Sequence, residues 1–111
     1  MKIYSKLFAI IAIAAFANVA AFANNRIRFA KGRTSATVTG RVSSGGRVCY
    51  FAGAKVGQQL TATVSSRSGK AVIFESGETS YSYEVEVRGD QSICVDNLAG
   101  ATTYSLTVSI K

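Results

Sequence analysis

From residue 27 onward, apolar and polar residues alternate with a period of two, and no segment shows a helical period. The stretch SATVTGRV at 35–42 is typical, since its apolar residues fall on one face and its threonines on the other. The same pattern recurs at 47–54, 59–66, 71–75, 81–88, 92–97 and 103–111, with glycine-containing turns between the runs. Such spacing favours an antiparallel β-sandwich or a small barrel. We predict an all-β, antiparallel sandwich of about eight short strands.

The first 23 residues have the features of an export signal. Lys2 and Lys6 precede an apolar run from Leu7 to Phe16, which is too short to span a bilayer. The small-x-small stretch Ala21-Phe22-Ala23 predicts cleavage after Ala23, although an uncleaved anchor is the alternative. We therefore expect a helical, cleaved signal peptide at 1–23 and one sandwich domain at 24–111, in a periplasmic or secreted protein without a membrane span after cleavage.

Cys49 and Cys94 are the only two cysteines. In an exported chain of this size, two cysteines most often form one disulfide, because nothing outside the cytosol keeps them reduced. A free or intermolecular thiol is the alternative. Both residues occupy the outward phase of their runs, so they can pair only if the two strands are neighbours in one sheet.

The basic residues are concentrated in the first half of the chain. After Lys2 and Lys6 are removed with the signal, eleven basic and six acidic residues leave a net charge of +5. Residues 24–60 contain no acid. This half could bind an anionic polymer or lipid, or it could be a solvated positive face. The candidates for binding an anionic ligand are Arg26, Arg28, Lys31, Arg33 and Arg41.

The composition excludes most catalytic chemistry. The chain has no histidine, which rules out the Ser-His-acid and Cys-His arrangements and removes the commonest metal ligand. Two cysteines alone cannot complete a zinc site. We expect a protein that is not an enzyme, has no metal or cofactor, does not bind nucleic acid, and is a monomer.

The order of turns and core positions resembles a known group of proteins. The motifs are Ile27-x-Phe29-x-Lys31-Gly32, Ser35-Ala36-x-Val38-x-Gly40-x-Val42, and Tyr50, Ala54 and Gly57-Gln58 before an alternating strand. In these features residues 27–66 resemble bacterial pre-peptidase C-terminal-like sandwiches. Within that group the chain is most similar to the periplasmic inhibitors of goose-type lysozyme.

The resemblance implies a binding protein that inserts loops into a lysozyme's substrate cleft. In this chain the corresponding loops would be 43–47 and 76–81, with Arg47, Glu78 and Tyr81 as the expected partner contacts. The rival hypothesis is the secreted or surface module that binds an anionic polymer or lipid through the basic half. A third is a structural subunit that pairs through an open sheet edge.

Overall fold

The computed structural model describes residues 25–111, and the predicted signal peptide lies outside these residues. Over this range the chain forms strands and turns and contains no helix. The seven strands are β1 (Ser35–Val42), β2 (Arg47–Ala54), β3 (Gln59–Ser66), β4 (Ala71–Ile73), β5 (Ser80–Glu84), β6 (Gly89–Asn97) and β7 (Thr102–Ile110).

The strands form two antiparallel sheets, which confirms the predicted fold class. One sheet has four strands in the order β1-β7-β3-β5, and the other has three in the order β2-β6-β4. The count is seven rather than about eight because residues 27–29 form no strand. Next to them, Arg26 makes only an isolated bridge to Phe51. The run at 81–88 is predicted to be one strand, but β5 ends at Glu84. Val87, on the predicted inward face, is 75% exposed.

The core lies between the inner faces of the two sheets. Its largest fully buried side chains come from both sheets and from the end of the 81–88 run: Val42, Leu60, Ile73, Val85, Ile93, Val95, Leu106 and Val108. These are the apolar positions of the period-two pattern, and their removal from water is the main favourable term in folding. The alternation in the sequence therefore predicts correctly which face is buried in every strand except β4, whose run at 71–75 does not alternate.

A hydrogen bond between tyrosines joins the two sheets inside this core. The hydroxyls of Tyr50 in β2 and Tyr104 in β7 are 2.6 Å apart and buried. Burial and the bond to Tyr50 raise the pKa of Tyr104. The Tyr104 ring passes over Gly40, its partner in β1, so closely that a Cβ at position 40 would lie 2.7 Å from the Tyr104 hydroxyl oxygen. Only glycine fits at position 40, because any side chain there would clash with the Tyr104 ring.

Cys49 and Cys94 form a disulfide, as predicted, because β2 and β6 are neighbours and the two residues face each other in register. Their Cα atoms are 3.9 Å apart. The backbone N–H and C=O groups of the two cysteines do not bond to each other but point to the opposite side of their own strand. The Cys49 carbonyl accepts from the Asn25 side chain, and the Cys94 carbonyl accepts from the Phe74 N–H. This places them at a non-hydrogen-bonded pair, where facing side chains approach most closely.

The N-terminal segment covers the free edge of β2. The Ile27 N–H donates to the Phe51 carbonyl at 2.8 Å, and the Phe51 N–H donates to the Asn25 carbonyl at 3.0 Å. Arg26 then forms a two-pronged ion pair with Asp90, with nitrogen–oxygen distances of 2.9 and 2.6 Å. The hydrogen bonds from Arg26 lower the pKa of Asp90. The N-terminal segment therefore occupies the middle of this sheet edge.

Removal of the disulfide should lower stability without changing the fold. The sequence separation is 45 residues, and for a closed loop of this length the chain-entropy model gives about 4 kcal/mol. We expect the Cys49→Ser/Cys94→Ser variant to unfold at a clearly lower urea concentration than the oxidised protein. Addition of a reductant should shift the oxidised protein to the variant's midpoint and leave the variant unchanged. Equal midpoints for oxidised and reduced protein would contradict this role.

Gly40 and Gly53 provide a matched test of the Tyr104 contact, because both are mid-strand glycines. A Cβ at Gly53 would have only the Asp90 carboxylate nearby, at 3.9 Å. We expect Gly40→Ala to destabilise the protein by about 1–3 kcal/mol, because it overpacks the core and displaces the buried Tyr104 hydroxyl. Gly53→Ala should be close to neutral. Urea unfolding measures both, and similar losses in the two variants would refute the close approach.

Candidate functional site

The turn at 74–79 connects β4 to β5 and carries the chain from one sheet to the other. Several hydrogen bonds hold it. The Gly77 N–H donates to the Ile73 carbonyl at 2.7 Å, which Gly77 permits by adopting a φ of +71°. The Ser76 hydroxyl donates to the Ser80 carbonyl at 2.7 Å and accepts from the Glu78 N–H at 3.1 Å. The turn is therefore held in a defined shape while its side chains remain exposed.

Glu75 fastens this turn to the disulfide-bonded strand. The Cys94 N–H donates to the Glu75 carboxylate at 3.0 Å, next to the bond from the Phe74 N–H to the Cys94 carbonyl at 2.8 Å. If β4 continued past Ile73, a backbone carbonyl would accept from the Cys94 N–H. The Glu75 carboxylate accepts this hydrogen bond instead. Cys94 itself is only 6% exposed although it lies on the outward phase.

Arg47 reaches the same turn from β2. Its guanidinium donates to both Asp96 oxygens, with Nε–Oδ1 at 2.5 Å and Nη2–Oδ2 at 3.1 Å. The guanidinium carbon lies 3.8 Å from the centre of the Phe74 ring, in cation–π geometry. Phe74 is 49% exposed. A held arginine and an exposed aromatic ring therefore stand side by side on the outer face of the three-stranded sheet.

Beyond the turn, Tyr81 and Tyr83 line a groove along the edge of the sandwich. Both occupy inward positions of β5, the edge strand of the four-stranded sheet, and their ring centres are 5.0 Å apart. The Tyr83 hydroxyl donates to the Gln91 side-chain oxygen at 2.5 Å. The groove has a volume of about 440 Å³ and is lined by Tyr81, Tyr83, Glu84, Glu86, Val87 and Gln91.

The unpaired acidic side chains gather around the groove and the turn. All six acidic residues of the chain lie between positions 75 and 96. Two of them form ion pairs, Asp90 with Arg26 and Asp96 with Arg47. The remaining four are glutamates at positions 75, 78, 84 and 86, and they form no ion pair within residues 25–111. We call the 74–79 turn together with the groove the tyrosine–glutamate surface.

The pKa values of the two tyrosines respond to this environment. Burial raises the pKa of Tyr81, and the negative charge of Glu75 raises it further. Burial also raises the pKa of Tyr83, with smaller contributions from Tyr81 and Glu75. Both phenols therefore remain neutral hydrogen-bond donors at neutral pH.

The three predicted partner contacts all adjoin the 74–79 turn. Glu78 lies within it, Tyr81 follows it on β5, and Arg47 touches it through Phe74. The other predicted loop, at 43–47, is not part of the 74–79 turn. Residues 43–46 form the β1–β2 turn at one end of the sandwich. There the buried Asn97 side chain donates to the Ser43 and Gly100 carbonyls, each at 2.9 Å.

The predicted anion-binding residues lie on several different elements of the fold. Arg26 is held by Asp90 on β6. Arg28, Lys31 and Arg33 are exposed along the segment that precedes β1, and Arg41 lies on the outer face of the four-stranded sheet. The five residues are thus distributed over the segment beside β2, the segment before β1, and β1 itself, and a shared anion-binding role for them stays a prediction.

Sequence reasoning missed Phe74, Glu75, Tyr83 and Gln91 as members of the surface. The run at 71–75 is nearly continuously apolar and predicts a strand that includes Phe74, whereas in the structure Phe74 begins the turn. The sequence signal for an exposed Phe74 is its position directly before Glu-Ser-Gly, which is typical of a turn. Tyr83 follows the inward phase, and nothing in the sequence shows that β5 is an edge strand with its inner face partly uncovered.

Within residues 25–111, no three acidic or cysteine side chains gather closely enough to hold a metal ion. No helix in this part of the chain is long and apolar enough to cross a membrane.

Comparison of sequences gives no assignment, since no family model and no curated protein matches the chain. Comparison of structures does find similar folds. PliG of Aeromonas hydrophila, a periplasmic inhibitor of g-type lysozyme, superposes with a TM-score of 0.67 and 22% identity over 78% of this chain and 94% of PliG. The PliG of Salmonella Typhimurium gives 0.62 and 21%, over 78% of this chain and 96% of that one.

A third similar structure is a protein of another kind. The Yersinia pseudotuberculosis-derived mitogen gives a TM-score of 0.54 and 19% identity over 71% of this chain and 87% of the mitogen. All these identities are low, so the likeness concerns the fold. At that level the predicted similarity to g-type lysozyme inhibitors is confirmed. The broader likeness to pre-peptidase C-terminal-like sandwiches stays a prediction.

The charge of Glu75 should be measurable in the titration of the tyrosines. A carboxylate near a phenol disfavours the phenolate, so Glu75→Gln should lower the pKa of Tyr81 and, to a smaller extent, of Tyr83. Glutamine keeps an oxygen that can accept from the Cys94 N–H. Phenolate absorbance followed against pH measures the shift, and Glu78→Gln in the same turn is the control. Equal tyrosine titrations in all three proteins would contradict the proximity of Glu75.

Proposed function

We propose that this protein is an exported, non-enzymatic inhibitor of a g-type lysozyme, which it blocks by placing the tyrosine–glutamate surface in the substrate cleft. The observation that carries the proposal is the similarity in fold to two PliG proteins, each covered over more than nine-tenths of its length. Those proteins are inhibitors of g-type lysozyme by name. Since a fold alone does not determine function, the remaining support must come from the surface itself.

The shape of the 74–79 turn supports insertion into a cleft. The turn crosses from one sheet to the other and is fixed by hydrogen bonds at both of its ends. A segment that is already ordered loses little conformational entropy on binding, which favours affinity. Phe74 at its start and Tyr81 after its end offer aromatic contacts of the kind that dominate binding energy at interfaces.

The charge of the surface supports a basic partner. The resemblance points to lysozymes, which are usually basic, and the overall positive charge of this chain would repel them. The four unpaired glutamates are confined to the tyrosine–glutamate surface, which therefore offers negative side chains to a partner. These carboxylates would attract a basic cleft rim even though the net charges repel.

Arg47 holds Phe74 in position within this surface. Its ion pair with Asp96 fixes the guanidinium over one face of Phe74 and leaves part of the ring exposed. We propose that Arg47 orients Phe74, while Glu78 and Tyr81 contact the partner directly.

Export fits the same proposal. Residues 1–23 would direct the chain to the periplasm or the outside, where the Cys49–Cys94 disulfide is stable. We expect the protein to act as a monomer that binds a lysozyme-like partner.

Phe74→Ala should weaken inhibition by about tenfold or more, because truncation of a central aromatic contact commonly costs 2 kcal/mol or above. The assay uses protein purified after export to a bacterial periplasm, a g-type lysozyme and labelled cell walls, with release of label as the readout. Phe51→Ala is the matched control, since Phe51 is a 42% exposed phenylalanine on the same sheet face but outside the turn. It should leave inhibition unchanged.

A Glu78→Lys variant tests the electrostatic part of the proposal. It should slow association at low salt, and the difference from the unmodified protein should shrink as salt is raised. If the unmodified protein at molar excess leaves lysis unchanged, the proposed inhibition is wrong, although the fold would stand.

A further inference from the structure

The outer face of the four-stranded sheet carries a grid of hydroxyl groups. The outward positions of β1, β7, β3 and β5 meet in register and are all serine or threonine over three successive rows. The rows are Ser35–Ser109–Thr61–Ser82, Thr37–Thr107–Thr63–Ser80 and Thr39–Ser105–Ser65. The large exposed apolar side chains of residues 25–111 all lie outside these four strands: Phe51, Val56, Phe74, Val87 and Leu98.

The next row of this face consists of a threonine between two arginines. Arg41 on β1 lies opposite Thr103 on β7. On the other side of Thr103, directly after β3, the Arg67 N–H donates to the Thr103 carbonyl at 3.2 Å. Because neighbouring strands are about 4.8 Å apart, the two arginine Cα atoms lie about 10 Å apart across β7. Both side chains are exposed on the same face.

Neither Arg41 nor Arg67 is neutralised by the described part of the protein. The ion pairs within residues 25–111 use Arg26 and Arg47, and the other carboxylate side chains lie between positions 75 and 86. Both guanidinium groups are therefore available to bind an anion that reaches this row.

Hollows on both sides of this row share its residues. One has a volume of about 530 Å³ and is lined by Arg41, Arg67 and Thr103 with the hydroxyl row of Thr39, Ser105 and Ser65. The other, of about 440 Å³, is lined by the same three residues and by residues near the turns at 68 and 101. The two hollows adjoin at these three shared residues, and we call the pair of hollows the arginine trough.

We propose that the arginine trough binds an acidic polysaccharide. Guanidinium groups bind carboxylate, sulfate or phosphate groups through paired hydrogen bonds. The surrounding hydroxyls both donate and accept, as sugar hydroxyls do. A trough that extends to both sides of the charged row suits a chain better than a single small anion.

Other polyanions fit this face less well. A lipid surface calls for exposed apolar side chains, and the four strands present none outward among their large residues. Single-stranded nucleic acid is held by exposed aromatic rings on which bases stack, whereas Tyr104, the aromatic residue that lines the trough, is only 4% exposed. The arginine trough is also on a different face from the tyrosine–glutamate surface, so the inference does not depend on the proposed inhibition.

The test compares two double variants with identical net charge. Arg41→Gln/Arg67→Gln removes the trough arginines, and Arg28→Gln/Arg33→Gln removes two exposed arginines of the N-terminal segment. Binding to fluorescein-labelled heparin and to labelled polygalacturonate is measured over a range of salt concentrations. We expect the trough variant to lose about tenfold or more in affinity for at least one of these polymers, and the control variant about twofold or less.

A second pair of variants tests the hydroxyl contribution without changing charge. Thr103→Val should weaken polysaccharide binding several-fold, while Thr63→Val, which removes an exposed hydroxyl two rows away, should not. Neutral dextran should not bind. Equal losses in the two arginine variants, or stronger binding to phosphatidylglycerol vesicles than to either polysaccharide, would overturn the proposal. Unchanged lysozyme inhibition in the trough variant would confirm that the two sites are separate.

Discussion

The register of β2 against β6 is the constraint on which the three-stranded sheet depends. Within residues 25–111 this sheet has only one other strand, β4, and β4 is three residues long. A slip of one residue between β2 and β6 would turn every inward side chain outward, including Tyr50 and Ile93. The Cys49–Cys94 bond joins the two strands at a directly facing pair and excludes such a slip. The Tyr50 hydroxyl can therefore meet Tyr104 of the opposite sheet.

The backbone of β6 at Cys94 also holds the turn that begins the tyrosine–glutamate surface. The Cys94 backbone receives the 74–79 turn through Phe74 and Glu75, so the turn is anchored beside the disulfide. From there the chain crosses to β5 and positions the two tyrosines along the sandwich edge. Stability and the proposed partner contacts thus share one anchor, while the arginine trough on the other sheet is independent of it.

The distribution of charge also takes its form from the pairing of strands. The sequence separates a basic first half from a second half that contains all the acids. In the structure, Asp90 and Asp96 pair with Arg26 and Arg47. The remaining acidic residues are four glutamates, which lie along one edge of the sandwich. Arg41 and Arg67, 26 positions apart in sequence, become neighbours on a single row. A net charge alone would have predicted neither surface.

The sequence by itself determined the alternation, and with it the fold class, the buried face of each strand and the availability of two outward cysteines for one disulfide. These features are local or follow from composition, so a period of two and a cysteine count reveal them. Only the tertiary structure decided that Cys49 and Cys94 face each other, that Phe74 turns outward under Arg47, and that Tyr83 lines an uncovered edge. Those outcomes depend on the order of strands within each sheet, which arises from packing between residues far apart in the chain and leaves no periodic trace in the sequence.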